Sequence, residues 1–412
     1  MPQQATSAAT TSTAKPRVLI ANKFYYPRGG DCICTINLER LLRDKGHETA
    51  IFSMNYPENI PSEWAPYFAS EVDFGGGAGA KLRAIRRILG MGDVRASFSR
   101  LLDDFKPEVV HLNNIHSQLS PVLAQIARKR GIRVVWTLHD YKLICPAYTC
   151  LRDGSVCEEC FAGPRPVLTH RCMKGSLAAS AVAWIEALKW NRPTLVESVD
   201  TFICPSAFMK EKMLQGGFPE EKLTVNCNFI DFDKQRLLFK APVDDRSDYY
   251  CYVGRLSPEK GVDTLLEAAS RLPYPLKVAG GGPLLDELKA RYASSPQIEF
   301  LGPLDAAGVS ELLSHARFTV IPSVWYENNP LSVIEALCAG TPVLGASIGG
   351  IPELIDEGAT GLTFTPGDVD AITRAITDAC GRRWDYATIR RDALARFSAD
   401  AHYARLTPAY GM

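Results

Sequence analysis

Four charged residues in the second half of the chain are spaced to handle an anion and a hydroxylated ligand. Arg255 and Lys260 lie in VGRLSPEKG (253–261), where a β-branched run ends at Gly254. Ser257 followed by Pro258 is a composition that starts a helix. A guanidinium and an ammonium beside the free amides of a helix start would hold a diphosphate without a metal ion. Glu327 and Glu335 follow in SVWYENNPLSVIEALCAGTPVLG (323–345), with Asn329 and Pro330 marking another helix start. Glu335 is embedded among Leu331, Val333, Ile334, Ala336 and Leu337. A buried carboxylate is costly unless something donates to it. The ribose hydroxyls of a nucleotide would do so, and so would a neighbouring arginine.

The first half offers different chemistry. Gly29 and Gly30 follow the first apolar run and let the backbone come close to a phosphate, although a plain turn has the same composition. Their spacing is not GxGxxG, which argues against a nicotinamide site and the oxidoreductases or epimerases that use one. His139 follows the run IRVVWTL, and Asn113, Asn114 and His116 follow EVVHLN, where they could meet an acceptor.

The paired glutamates, Arg255 with Lys260, the glycine turn and GGIPELI (349–355) together resemble glycosyltransferase family 4, from Arg17 onward. The resemblance implies a retaining enzyme of the GT-B fold. Its donor is a nucleotide sugar, with UDP favoured over GDP or ADP. On the matching positions, Arg255 and Lys260 would hold the donor diphosphate and Glu335 the ribose. Glu327 would sit near the transferred sugar, with the backbone from Asn329 to Leu331 close by; Gly254 would line the same site. His139 would stand beside that sugar. The chain has Pro330 where many relatives have glycine, which removes one N–H. Implied acceptors are glycans or lipid-linked glycans of surface polysaccharide assembly. A non-catalytic nucleotide-sugar-binding subunit is the alternative, and intact Arg255, Lys260 and Glu327 argue against it.

These residues need elements to position them. β-branched runs alternate with amphipathic segments, the pattern of parallel sheets with helical crossovers. One series fills residues 17–235 and a second fills 249–390. The expected fold is therefore α/β, with two Rossmann-like domains facing a cleft and ligands at the carboxyl ends of the strands. Residues 236–248 lack a clean period and read as the hinge, and 391–412 as a helix returning to the first domain.

The chain has 412 residues, with Lys+Arg and Asp+Glu balanced at 46 each, so no global field favours nucleic acid. Residues 1–16 are small and polar, a disordered tail without the apolar core of a secretory signal. A cytoplasmic, reducing setting is expected, in which twelve cysteines are free thiols or metal ligands. Cys145, Cys150, Cys157, Cys160 and Cys172 cluster in an insert. Cys150, Cys157, Cys160 and Cys172 are the first choice for a structural zinc, with Cys145 next in line; packed thiols are the alternative. The transfer itself needs no cofactor on this reading. Residues 81–100 are basic and amphipathic, suited to an anionic membrane surface or to an ordinary solvated face. The apolar stretch 177–188 reads as a core helix.

Overall fold

The computed structural model describes residues 15–240 and 243–412. Most of the expected tail lies outside the described residues, as do two residues of the expected hinge.

The strands are β1 (Val18–Ala21), β2 (Thr49–Phe52), β3 (Val109–Leu112), β4 (Arg133–Thr137), β5 (Leu151–Arg152), β6 (Ser155–Val156), β7 (Thr201–Cys204), β8 (Leu223–Val225), β9 (Tyr250–Val253), β10 (Leu276–Ala279), β11 (Ile298–Gly302), β12 (Thr319–Ile321), β13 (Val343–Ala346) and β14 (Gly361–Phe364). The first domain is a parallel sheet in the order β2-β1-β3-β4-β7-β8, and the second is a parallel sheet in the order β11-β10-β9-β12-β13-β14. The β-branched runs of both series, EVVHLN and IRVVWTL among them, form these strands. β1, β2, β3 and β13 are buried along their whole length. Helices covering both faces of a parallel sheet require such runs to be continuously apolar. The strand order reverses beside β1 and beside β9, which opens a crevice at the carboxyl end of each. β5 and β6 form a small hairpin within the cysteine insert.

The hinge differs from expectation. Asp231 Oδ1 accepts the amides of Asp233 and Lys234 and starts a helix, Phe232–Lys240. That helix packs on Ala306–His315 and Leu331–Cys338 of the second domain. Arg246 is anchored there too, donating to the carbonyls of Leu313, Ala316 and Ala339. Most of 236–248 therefore belongs to the second domain, and the chain crosses earlier, after β8. The returning helix is two helices. Tyr386–Phe397 stays on the second domain, Ser398 caps the next turn, and Ala399–Tyr410 lies on the first. Leu406, Ala409 and Tyr410 pack with Val18, Ile20 and Val135, and His111 bridges Tyr410 Oη at 2.6 Å to Thr137 Oγ1 at 2.7 Å.

Two further segments stand as follows in the structure. The basic segment 81–100 is split between helices Ala78–Ile88 and Asp93–Phe105. Arg87 turns inward to Asp93 and to the Gln118 carbonyl. The apolar helix Leu177–Lys189 is not core: Leu177, Ile185 and Leu188 are 53, 44 and 47% exposed, while Glu186 faces inward. Among the described residues no helix is long and apolar enough to cross a membrane.

Candidate active site

The second domain builds its half of the site by close backbone contact. The glycine run 280–282 follows β10, and a Cβ at Gly280 would lie 1.8 Å from the Gly254 carbonyl oxygen. Only glycine allows the turn after β10 to lie flat on the turn after β9. Sequence reading passed over this run, although three glycines directly after a strand were the signal.

Ser257 and Pro258 start a helical turn as expected, although the Ser257 side chain does not cap it. Its hydroxyl donates to Glu259 Oε1 at 2.6 Å, and the helical turn Pro258–Lys260 is a single turn. Gly261 then adopts φ +65°, with its Cα so close to Pro322 that a Cβ would meet that carbonyl oxygen at 2.0 Å. The Val324 amide donates to the Glu259 carbonyl at 3.0 Å. These contacts lock the 257–261 turn against the 322–328 loop. Lys260 Nζ consequently lies 2.6 Å from Glu327 Oε1, which also accepts from Ser323 Oγ at 2.7 Å. Burial pushes the Glu327 carboxyl up, but the charge and hydrogen bond of Lys260 and the Ser323 hydroxyl outweigh it and hold the group below its ordinary value. Arg255 is exposed, and among the described residues its guanidinium has no carboxylate partner. One cation is thus neutralised by Glu327 and the other is open to an incoming anion.

Glu335 lies in the helix Leu331–Cys338 and is met by Lys234 Nζ at 2.5 Å. Burial raises its carboxyl above the ordinary value despite Lys234, and Asp231 adds to the rise. Lys234 comes from the displaced hinge helix, a partner that sequence reading did not find. Asn329 joins the domains: its side-chain oxygen accepts the Asn228 amide at 2.8 Å and its carbonyl accepts from Asn228 Nδ2 at 2.9 Å. Leu331 packs over Gly30. The N-terminal ends of Leu331–Cys338 and Gly30–Asp44 therefore converge, and both present partial positive charge. Gly29, the residue before the second of these helices, is extended and adds no side-chain cap.

On the facing wall, His139 Nε2 lies 2.9 Å from Asn113 Oδ1. Burial lowers the affinity of His139 for a proton, against the opposing charges of Asp31 and Asp140. Asp31 accepts from Asn114 Nδ2 at 2.8 Å and faces Lys23 at 3.9 Å. Asp31 and Lys23 escaped the sequence reading, although both stand at the carboxyl end of β1. His116 stacks on Trp136, with 5.2 Å between ring centroids, and faces Asp140.

The 325–329 loop is gripped by the first domain. The Tyr326 ring lies 4.7 Å from that of Phe208 and 6.0 Å from that of Tyr141, and its hydroxyl donates to Glu158 at 2.8 Å. Asn328 donates to the Leu138 carbonyl and accepts from Ser206. Glu353, in GGIPELI, accepts the Ala207 and Phe208 amides at the start of helix Ala207–Gln215. Glu327 is held between two residues that both reach across the cleft.

The matches to known proteins fit this geometry. Residues 29–234 match the model of Glycosyltransferase Family 4, and residues 233–392 match that of Glycosyl transferases group 1. The chain belongs to glycosyltransferase family 4. The boundary between the two matches falls at the hinge helix, where the structure crosses between domains. An uncharacterized 42.6 kDa protein of the cps region of Klebsiella pneumoniae is 25% identical over 82% of this glycosyltransferase and 87% of that protein. The sulfoquinovosyl transferase SQD2 of Arabidopsis thaliana is 26% identical over 66% of the chain, which spans about half of that protein's length. Anabaena Alr3699/HepE, solved with UDP and glucose, superposes with a TM-score of 0.62 at 17% identity over 96% of this chain and all of that one. Sucrose-phosphate synthase of Thermosynechococcus elongatus gives 0.68 at 18% identity, over 96% of this chain and 98% of that one. The fold is GT-B.

The cysteine insert does not gather a ligand set. Among the described residues no group of three or more His, Cys, Asp or Glu is arranged to hold a metal, and the described cysteines are free thiols. Cys145 and Cys150 are neighbouring buried thiols, whereas Cys157, Cys160 and Cys172 are only partly buried. The insert is held instead by ion pairs of Glu159 with Arg152 and His170, and by the β5–β6 hairpin.

Proposed function

We propose that this glycosyltransferase moves a hexosyl group from UDP to a hydroxyl of a glycan or lipid-linked acceptor, with retention and without a catalytic metal. One observation carries the reading: Arg255, exposed and without a carboxylate partner among the described residues, lies in the same 254–261 turn as Lys260, which pairs with Glu327 just ahead of the helix Leu331–Cys338 whose N-terminus meets that of Gly30–Asp44. That arrangement suits a diphosphate leaving group. The UDP in the Anabaena structure supports the choice of base, and the cps-region relative supports an acceptor from polysaccharide assembly. In the transfer, the acceptor oxygen bonds to the anomeric carbon on the face from which the phosphate departs. The departing phosphate oxygen takes the acceptor's proton. Arg255 and Lys260 stabilise the charge on that phosphate, and Glu335 binds the ribose. His139, uncharged because it is buried, contacts the sugar.

A thermal-shift screen of UDP-, GDP- and ADP-linked sugars, with and without EDTA, tests this. A ligand that binds only the folded protein raises its stability with occupancy. UDP-sugars are expected to raise the melting temperature equally with and without EDTA, and Arg255→Ala and Glu335→Ala to abolish the shift. No shift from any nucleotide sugar would sink the donor assignment. A fall with EDTA alone would assign zinc to Cys150, Cys157, Cys160 and Cys172, against the arrangement of those sulfurs.

The reading includes contact with an anionic membrane surface. Lys81, Arg83 and Arg86 are exposed on the same helix as Leu82 and Ile85. Co-sedimentation with phosphatidylserine vesicles is expected, weakened by salt and lost in Leu82→Glu/Ile85→Glu. No sedimentation at low salt would remove the membrane from the account.

A further inference from the structure

A cavity of about 200 Å³ lies in the first domain, outside the crevice that holds Arg255 and Lys260. Its two ends differ in chemistry. The inner end is polar: Lys142 Nζ meets Glu186 Oε2 at 3.0 Å, and Ser117 Oγ donates to Glu186 Oε1 at 2.8 Å. His116, next to Ser117, lines the same end and stands 3.7 Å from Asp140, the neighbour of His139. The remaining wall is mostly apolar, built from Pro121, Pro146, Phe161, Pro164, Trp190 and Pro193, with Asn191 and Arg192 as its polar members.

The polar end is unusual on energetic grounds. The Lys142 and Glu186 side chains are 9 and 6% exposed, so both charges are largely removed from water. Apolar residues of similar volume are often as stabilising as such a pair, or more so. Folding therefore gives no reason for two charges at the foot of an apolar cavity, whereas a ligand with one polar end does. At about 200 Å³ the cavity is below the roughly 300 Å³ at which pockets enclose a whole small ligand. It takes part of one. The Glu186 helix continues outward into the exposed Ile185 and Leu188.

We infer that this cavity is an acceptor subsite for an amphiphile, taking the apolar group attached to the sugar that receives the transfer. The polar head turns to His116, Lys142 and Glu186, and so towards His139 across Asp140. The apolar part lies against the proline, phenylalanine and tryptophan wall. The word "acceptor" rests on the function proposed above; the amphiphile specificity rests on the cavity alone.

The test uses the full chain and two probes, octyl β-D-glucoside below its micellar concentration and D-glucose, with binding read by calorimetry. UDP-induced thermal stabilisation is followed in parallel. Ala187 and Ala162 line the cavity without being buried, so Ala187→Trp and Ala162→Trp fill it from partly open positions. Saturable binding of octyl glucoside, at least tenfold weaker binding of glucose, and loss of octyl glucoside binding in either folded variant are expected. The UDP response should stay as in the parent. Equal binding of both probes, or parental binding of octyl glucoside in both variants, would overturn the assignment. Octyl glucoside binding without any UDP response would support the cavity and remove only the donor reading.

Discussion

Lys260→Met is expected to lower the transfer rate by about 10²–10³-fold, the loss that follows removal of one pre-positioned charge from a developing anion. The substitution acts twice. It takes away a cation from the place assigned to the donor diphosphate, and it strands the buried Glu327 carboxylate that Lys260 meets at 2.6 Å. Ser323 then remains hydrogen-bonded to that oxygen, with no cation paired to it among the described residues. An unsatisfied buried group costs about 1–3 kcal/mol, and more when charged. Lys260 is 26% exposed, so solvent screening keeps the loss towards the low end.

The sign of the pH effect follows from the same pair. In the parent protein Glu327 titrates below its ordinary value, so its contribution to stability is present above that value and fades as pH falls through the depressed one. Without Lys260, burial dominates and the carboxyl is pushed up. Protonation then relieves the stranded charge, so the stability deficit of Lys260→Met relative to the parent should be largest near pH 7 and shrink towards pH 4, as read from melting temperatures across that range. Initial rates with a UDP-sugar give the catalytic half of the test. Parental rates would show that Lys260 serves only to place Glu327.

Why some features were legible in the sequence and others were not follows from how local each signal is. Parallel strands must be apolar throughout, so VLIA, TAIF and VVHL announce themselves. Their order and the crevices follow from the alternation with helices. Arg255, Lys260 and Glu327 could be picked out because glycine, proline and charge punctuate short segments around them. What stayed hidden depends on contacts distant in sequence. Lys234 reaches Glu335 from a helix that looked aperiodic, since its start is set by one Asp231 side chain and its face by a partner far along the chain. The helix Leu177–Lys189 looked like core because composition alone cannot say that its single acid points inward and its leucines outward. The cysteine spacing suggested a metal, yet spacing does not show that Cys150 is buried against Cys145. Nothing in the residues next to Tyr326 singles it out, and only the fold reveals Glu158, Phe208 and Tyr141 around it.

Gly350→Ala should reduce activity about as severely without altering any charge. Gly350 is not in the left-handed region, so alanine is conformationally acceptable there and the argument is purely steric. A Cβ at this position would lie 1.9 Å from the Asn328 carbonyl oxygen and 3.1 Å from Ser206 Cβ. The obstacle is backbone, which cannot rotate away as a side-chain tip can. The Asn328 carbonyl has to retreat by about 1 Å, a displacement that can cost on the order of 10²-fold in rate when it moves a reacting geometry. Asn328 is tied to Leu138 and Ser206 in the other domain, and Gly350 itself donates to the Glu327 carbonyl at 2.7 Å. The strain therefore passes directly to Glu327 and to the contact between domains. Overpacking of this kind destabilises by about 1–3 kcal/mol, so the melting temperature should fall as well. Gly381→Ala is the control, because nothing lies within 4 Å of its Cβ position and its backbone is unstrained. It should leave rate and melting temperature as they are. A Gly350→Ala protein as active as Gly381→Ala would mean that the 325–329 loop is free to shift and that its grip on the first domain does not set the position of Glu327.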